Sequence, residues 1–246
     1  MRTNLGRIAV IGLGVGVISL SLAHVLGGRD LGHLLASSLF TGQACKAAAG
    51  ADKSPERRLA WNGDAIDIAL PATVRFRGGE GSDIVVRGSP DTIANVEVRG
   101  SRLVLNCRWG GLGIRDVEVV LPGRALRRVG ISGSAKVVME KLDQPELALA
   151  ISGSGSFAAQ GTVDQLSVTV SGSGNARLAE IAARQLTVKI SGSGNVEAAP
   201  KEEADITISG SGNVRLLSRP ARLKTHVAGS GRITQLPAES AEGRKK

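Results

Sequence analysis

The sequence predicts an all-β protein: a single-stranded β-solenoid with rungs of about 19 residues, preceded by one N-terminal transmembrane helix. Three observations predict the solenoid. The phrase "VSGSGN" at 170–175 returns as "ISGSGN" at 190–195 and again at 208–213. The first glycines of the related corners, Gly133, Gly153, Gly172, Gly192, Gly210 and Gly229, follow one another at 20, 19, 20, 18 and 19 residues. Aromatic residues make up only 2% of a chain that is 42% hydrophobic, so the core is left to Val, Ile, Leu and Ala, which suits stacked β-structure.

The columns around the glycines give the rung its form. Two residues before each stand Ile131, Ile151, Val170, Ile190, Ile208 and Val227, and four before stand Val129, Leu149, Val168, Val188, Ile206 and Thr225. Six before come Leu147, Leu166, Leu186, Ala204 and Leu223, with Arg127 in the first copy. Polar residues fill the positions between, so each copy holds a strand with one buried face. Four residues after the glycine the apolar column resumes at Val137, Phe157, Ala176, Val196, Val214 and Ile233. Each copy therefore reads as strand, tight corner, strand and variable return. One copy cannot bury its own apolar face, whereas a stack of them makes a continuous core rising by ~4.8 Å per rung, ~25–30 Å for the six marked copies. The missing hexapeptide pattern of left-handed solenoids leads to the expectation of a right-handed winding.

At the corners, Gly172, Gly174, Gly192, Gly194, Gly210 and Gly212, with Asn175, Asn195 and Asn213, are residue types that tolerate positive φ. In register, the three asparagines are placed to form a side-chain ladder. Lys136, Ser156 and Arg232 hold that column in the outer copies, as terminal repeats tend to differ. The corner is thus expected to be structural rather than a ligand loop.

Outside the repeat, residues 8–26 carry no charged side chain and are nearly long enough to cross a bilayer. Arg2 and Arg7 precede them, which places the N-terminus in the cytoplasm and the rest across the membrane. An uncleaved anchor over 1–28 and a cleaved signal peptide are both readings of this segment, and its length favours the anchor. Gly12, Gly14 and Gly16 imitate a dinucleotide-binding turn, but Val17 stands where the third glycine belongs, so no cofactor is expected. Gly12 and Gly16 also make a G-x-x-x-G pair suited to homo-oligomeric anchors. Residues 29–57 read as a linker, 58–128 as less regular opening rungs and a cap, 129–236 as the regular rungs, and 237–246 as a polar tail. Cys45 and Cys107 suffice for one disulfide or two thiols, with the choice open.

The net charge of +9 is concentrated late: eight basic residues against two acidic ones follow residue 213. Arg215, Arg219, Arg222, Lys224 and Arg232 form a candidate patch for an anionic lipid or glycan. Nucleic acid is not expected, since neither stacking aromatics nor a recognition helix accompanies these residues.

With "ISGSGN" closing strand after strand behind a β-rich lead-in, residues 58–236 resemble the putative auto-transporter adhesin head domain, also called the head GIN domain, of bacterial envelope proteins. The resemblance implies an exported β-helical protein at or near the bacterial surface, and it implies no catalytic residues. A non-enzymatic envelope protein binding a glycan or protein along the solenoid flank is therefore expected, facing the periplasm from the inner membrane or at the cell surface if the N-terminal segment is cleaved. The alternative is a carbohydrate-active β-helix enzyme, for which Asp205, Glu197 and Glu180 are the only acidic cluster to propose. His226 has no acidic neighbour in sequence to support a serine nucleophile, and no metal site is expected, because asparagine rather than aspartate occupies the corners.

Overall fold

A computed structural model describes residues 54–76, 82–107, 117–123 and 125–236. The anchor segment, the linker up to residue 53, Cys45 and the tail at 237–246 lie outside the described residues. The described part is a β-solenoid of about five turns.

Its regular body is made of β8 (Arg128–Gly133), β9 (Lys136–Gly153), β10 (Ser156–Gly172), β11 (Asn175–Gly192), β12 (Asn195–Gly210), β13 (Asn213–Leu216), β14 (Arg222–Gly229) and β15 (Arg232–Gln235). All pair in parallel, one period apart: Val168 lies beside Leu149 and Val188, and Ile190 beside Val170 and Ile208. The period-two columns are the core. Val168, Val188 and Ile206 have no exposed surface, and Leu149, Ile151, Leu166, Leu186 and Ile190 are nearly as buried. Burying each such side chain contributes ~1.5–3 kcal/mol.

The variable return turns out to be strand as well, since β9, β10, β11 and β12 run unbroken from one SGSG corner to the next. It bends where the inward parity slips. In β9 the buried series passes from Val137 and Met139 to Leu142, and Lys141 there has φ 57°, the only non-glycine with positive φ among the described residues. In the next rung Gly161 takes φ 132° beside the backbone of Leu142.

The opening region contains β1 (Glu56–Ala60), β2 (Ala65–Ala69), β3 (Thr73–Phe76), β4 (Asp83–Arg87), a one-turn helix α1 (Pro90–Ile93), β5 (Val96–Arg99), β6 (Arg102–Leu105) and β7 (Glu118–Leu121). Glu56 and Arg57, in the stretch read as linker, belong to β1. Arg57 is held there because its Nη1 donates to the carbonyls of Ile93, Ala94 and Val96 at 3.1, 2.6 and 3.0 Å. Strands β2 and β3 form a rung under β8 and β9. The rung beneath that one comes later in sequence: β6 pairs with β2 and β7 with β3. The chain thus lays a rung, places the next one below it, then returns above to start the regular column. Beyond β7 the pairing becomes antiparallel, with β4 on β7 and β1 on β4, while β5 covers β6.

Candidate functional site

Each SGSG corner is a stack of backbones in close contact. The amide of Ser193 donates to the Gly172 carbonyl at 2.8 Å, and that of Ser211 to Gly192 at 2.9 Å, so the corners are hydrogen-bonded from rung to rung. Gly192 shows why no side chain fits: its φ is 127°, and a Cβ would lie 2.6 Å from the Gly172 carbonyl oxygen. Gly133, Gly153, Gly172, Gly210 and Gly229 share that positive φ. The second glycines, Gly174, Gly194 and Gly212, lie outside it; a Cβ there would meet Ile151, Val170 and Ile190 of the preceding rung.

The asparagines meet one of the two expectations placed on them. None of Asn175, Asn195 and Asn213 has positive φ; they begin strands in ordinary extended geometry. Their side chains form the expected ladder, with Asn195 Nδ2 donating to Asn175 Oδ1 at 2.9 Å and Asn213 Nδ2 donating to Asn195 Oδ1 at 3.0 Å. The glycines supply the turn, which leaves the amides free to pair.

This ladder borders a shallow hollow of about 380 Å³ on one flank, lined also by Arg177, Glu197, Arg215, Arg232 and Thr234. Arg232 sits directly over Asn213. Arg215 is paired with Glu197 at 3.2 Å, while Arg177 and Arg232 have no carboxylate partner among the described residues. A second hollow of about 360 Å³ continues along the flank and shares Arg177 and Glu197, adding Glu140, Gln160 and Glu180. A larger one, about 500 Å³, borders β8 to β11; there Arg127 meets Glu146 at 3.4 Å and Asp64 at 3.9 Å, while Arg128 has no carboxylate partner among the described residues.

The five-residue basic patch is less free than its composition suggests. Arg222 and Lys224 both meet Glu203, at 3.1 and 3.6 Å, and Arg219 Nε donates to the Leu236 carbonyl at 3.3 Å. Among the described residues, only Arg232 of the patch lacks a partner for its side chain. The relevant carboxylates stand one period earlier, so the spacing of Glu203 from Arg222 carried the signal once the period was known. Hydrogen bonding from Arg222, reinforced by its charge, holds the Glu203 carboxyl below its ordinary range.

The acidic trio does not converge. Glu180 and Glu197 line one hollow, whereas Asp205 lies between Thr187 and Lys224 on another arm of β12 and is not part of that lining. His226 is exposed in β14, in register with Thr207. No group of three His, Cys, Asp or Glu able to hold a metal occurs among the described residues. Cys107 is disulfide-bonded.

Parallel rungs with polar groups arrayed in rows define a repeat-built β-solenoid whose accessible chemistry lies along its flanks and ends. The chain belongs to the family described as putative auto-transporter adhesin, head GIN domain, whose model matches residues 64–220. Among solved structures it is similar to a putative adhesin from Bacteroides fragilis, with TM-score 0.61 and 15% identity over 76% of this chain and 99% of that one. It is also similar to a putative adhesin from Parabacteroides merdae, at TM-score 0.45 and 15% identity over 74% and 95% of the two chains. A third structure, titled a putative lipid binding protein from Parabacteroides distasonis, gives TM-score 0.46 and 16% identity over 74% and 96%. No curated protein matches.

Proposed function

We propose that this protein is a non-enzymatic, exported component of the cell envelope that holds an anionic glycan along one flank of its solenoid. The observation that carries the reading is the row formed by the Asn175, Asn195 and Asn213 amides beside Arg177 and Arg232, two guanidinium groups with no carboxylate among the described residues. Amides spaced by one rung suit a polymer that offers hydroxyls at intervals, and unpaired guanidinium groups suit its carboxylates or phosphates. Membership in an adhesin-named family supports export and an interaction role.

The test is retention of isolated envelope polysaccharide by the full chain purified in detergent. Binding is expected to fall at least about tenfold in an Arg177→Ala, Arg232→Ala variant and to weaken with salt. Binding that survives both changes, or no binding to any acidic glycan, would sink the flank reading; a protein retained in place of the glycan would redirect it to a protein partner.

The enzyme reading has one observation in its favour, that Glu140, Glu180 and Glu197 share a hollow. Release of reducing ends from an envelope glycan, abolished by Glu180→Gln or Glu197→Gln, would establish it.

A further inference from the structure

The last rung ends on an open edge. Strand β14 pairs with β12 and β15 with β13, and nothing pairs on their other sides among the described residues. Directly beneath β14, Ala204, Ile206 and Ile208 have no exposed surface, yet the residues that cover them, Leu223, Thr225 and Val227, are exposed, Leu223 and Val227 at 40% each. The apolar column is thus continued for one rung beyond the point where it is buried.

Charge identifies what fits there. From residue 222 to 236 the chain has no Asp or Glu, while Arg222, Lys224, His226 and Arg232 lie on the rung. The strand already seated against β14 displays the complementary pattern. In "EADITI" (203–208) of β12, carboxylates alternate with inward apolar side chains, and Glu203 contacts both Arg222 and Lys224. A second copy of the chain is a poor match, because an end-to-end contact between two such rungs would set basic residues against basic residues with no carboxylate to offset them. The tail is also a poor match by composition, since after Pro237 it has only Ala238 and Ala241 as apolar residues and closes on Arg244, Lys245 and Lys246.

We infer that β14 is a docking edge, to which a partner protein adds an extended segment of alternating acidic and apolar residues as one more strand. Main-chain hydrogen bonds would supply affinity and the alternating side chains selectivity, the mode of binding known as β-augmentation. The inference goes beyond the flank proposal and is independent of it, because it concerns the end of the column and a polypeptide ligand.

The probe is a labelled peptide with the sequence of residues 202–209, "EEADITIS", followed by fluorescence anisotropy on the full chain in detergent. Binding is expected, and it should weaken about tenfold or more on raising the salt from dilute to ~0.5 M. Arg222→Glu with Lys224→Glu should weaken it at least about tenfold, while the same double variant should gain affinity for a peptide whose acidic residues are replaced by lysine, a rescue that misfolding could not produce. Leu223→Lys should weaken binding with the circular dichroism spectrum unchanged, and Arg177→Ala should have a much smaller effect, which separates this edge from the flank. Three results would overturn the inference: equal binding of a scrambled peptide, peptide binding that appears only when the chain is truncated after Leu236, or a concentration-dependent dimer that Leu223→Lys dissolves.

Discussion

The two ends of the column are built on opposite plans. At the N-terminal end, parallel pairing is stopped by antiparallel β4 and β1, Ile84 and Val86 are fully buried, and Arg57 ties β1 to three carbonyls at and beyond α1. At the other end, the last rung copies the one before it, in register from Glu203 beside Arg222 to Gly210 beside Gly229, and stops with its apolar column bare. A repeated rung offers its successor the same edge it was offered, so only a differently built element can end the stack. The chain supplies one at the first end; at the second, the described residues supply charge.

Matched substitutions at the two ends and in the body would break or sharpen this contrast. The largest effect is expected from Gly192→Ala, which forces a side chain into φ 127° and against a backbone carbonyl; a loss of about 4 kcal/mol in urea unfolding is expected, with Gly229→Ala costing less than half of that because only the last rung has to yield. Next comes Ile206→Ala, about 3 kcal/mol, against below about 1 kcal/mol for Leu223→Ala, one position along the rung and one rung further out. Equal losses would mean that the end rung is covered. Arg57→Ala should cost about 2 kcal/mol, since three carbonyls lose their donor, whereas Arg222→Ala should cost no more than about 0.5 kcal/mol, as for an exposed ion pair.

The smallest effect is acid loosening at both ends. A hydrogen bond from Arg87 holds Glu56 below its ordinary value of 4.5, and one from Arg222 does the same for Glu203. A carboxyl whose folded pKa is depressed contributes stability above its unfolded pKa and loses it as pH falls through the folded value, so the loss is expected below about pH 4.5. Amide exchange of β1 and β14 on acidification, compared with Glu56→Gln and Glu203→Gln, would show it. Unchanged exchange in both strands would remove the role of these pairs.

The body of the fold was legible because its signal is repeated. The six corner glycines and the columns from Leu147 to Val227 fix the period, and the period fixes the register. The opening rungs were legible as rungs but not in their order, because nothing local says that β6 and β7 lie beneath β2 and β3. Their corner reads Leu70-Pro71-Ala72 rather than Ser-Gly-Ser-Gly, and their partners are distant in sequence. The bend at Lys141 and Gly161 was missed for a related reason, since a charged residue in one rung and a glycine in the next share no sequence column. At the asparagine corners the residue type was read for its backbone tolerance, but the adjacent glycines already meet that need. The flank hollow depends on which outward side chains lack partners, and that became visible only when Glu197 and Glu203 were seen one rung below Arg215 and Arg222.

The inverted order of the opening rungs has a kinetic consequence. Asp67 joins Arg102, 35 residues away, and accepts a hydrogen bond from Ser132, 65 residues away, whereas the ladder contact from Asn213 to Asn195 spans 18. Closing the longer loops costs more entropy before any contact is made, and folding slows as such contacts dominate. The cap should therefore be the slow, rate-limiting nucleus, with the regular rungs then added quickly by zipping. Refolding would be slowed by Asp67→Ala, while Asn213→Ala would mainly hasten unfolding, so the end that is thermodynamically sealed is also the one that sets the clock.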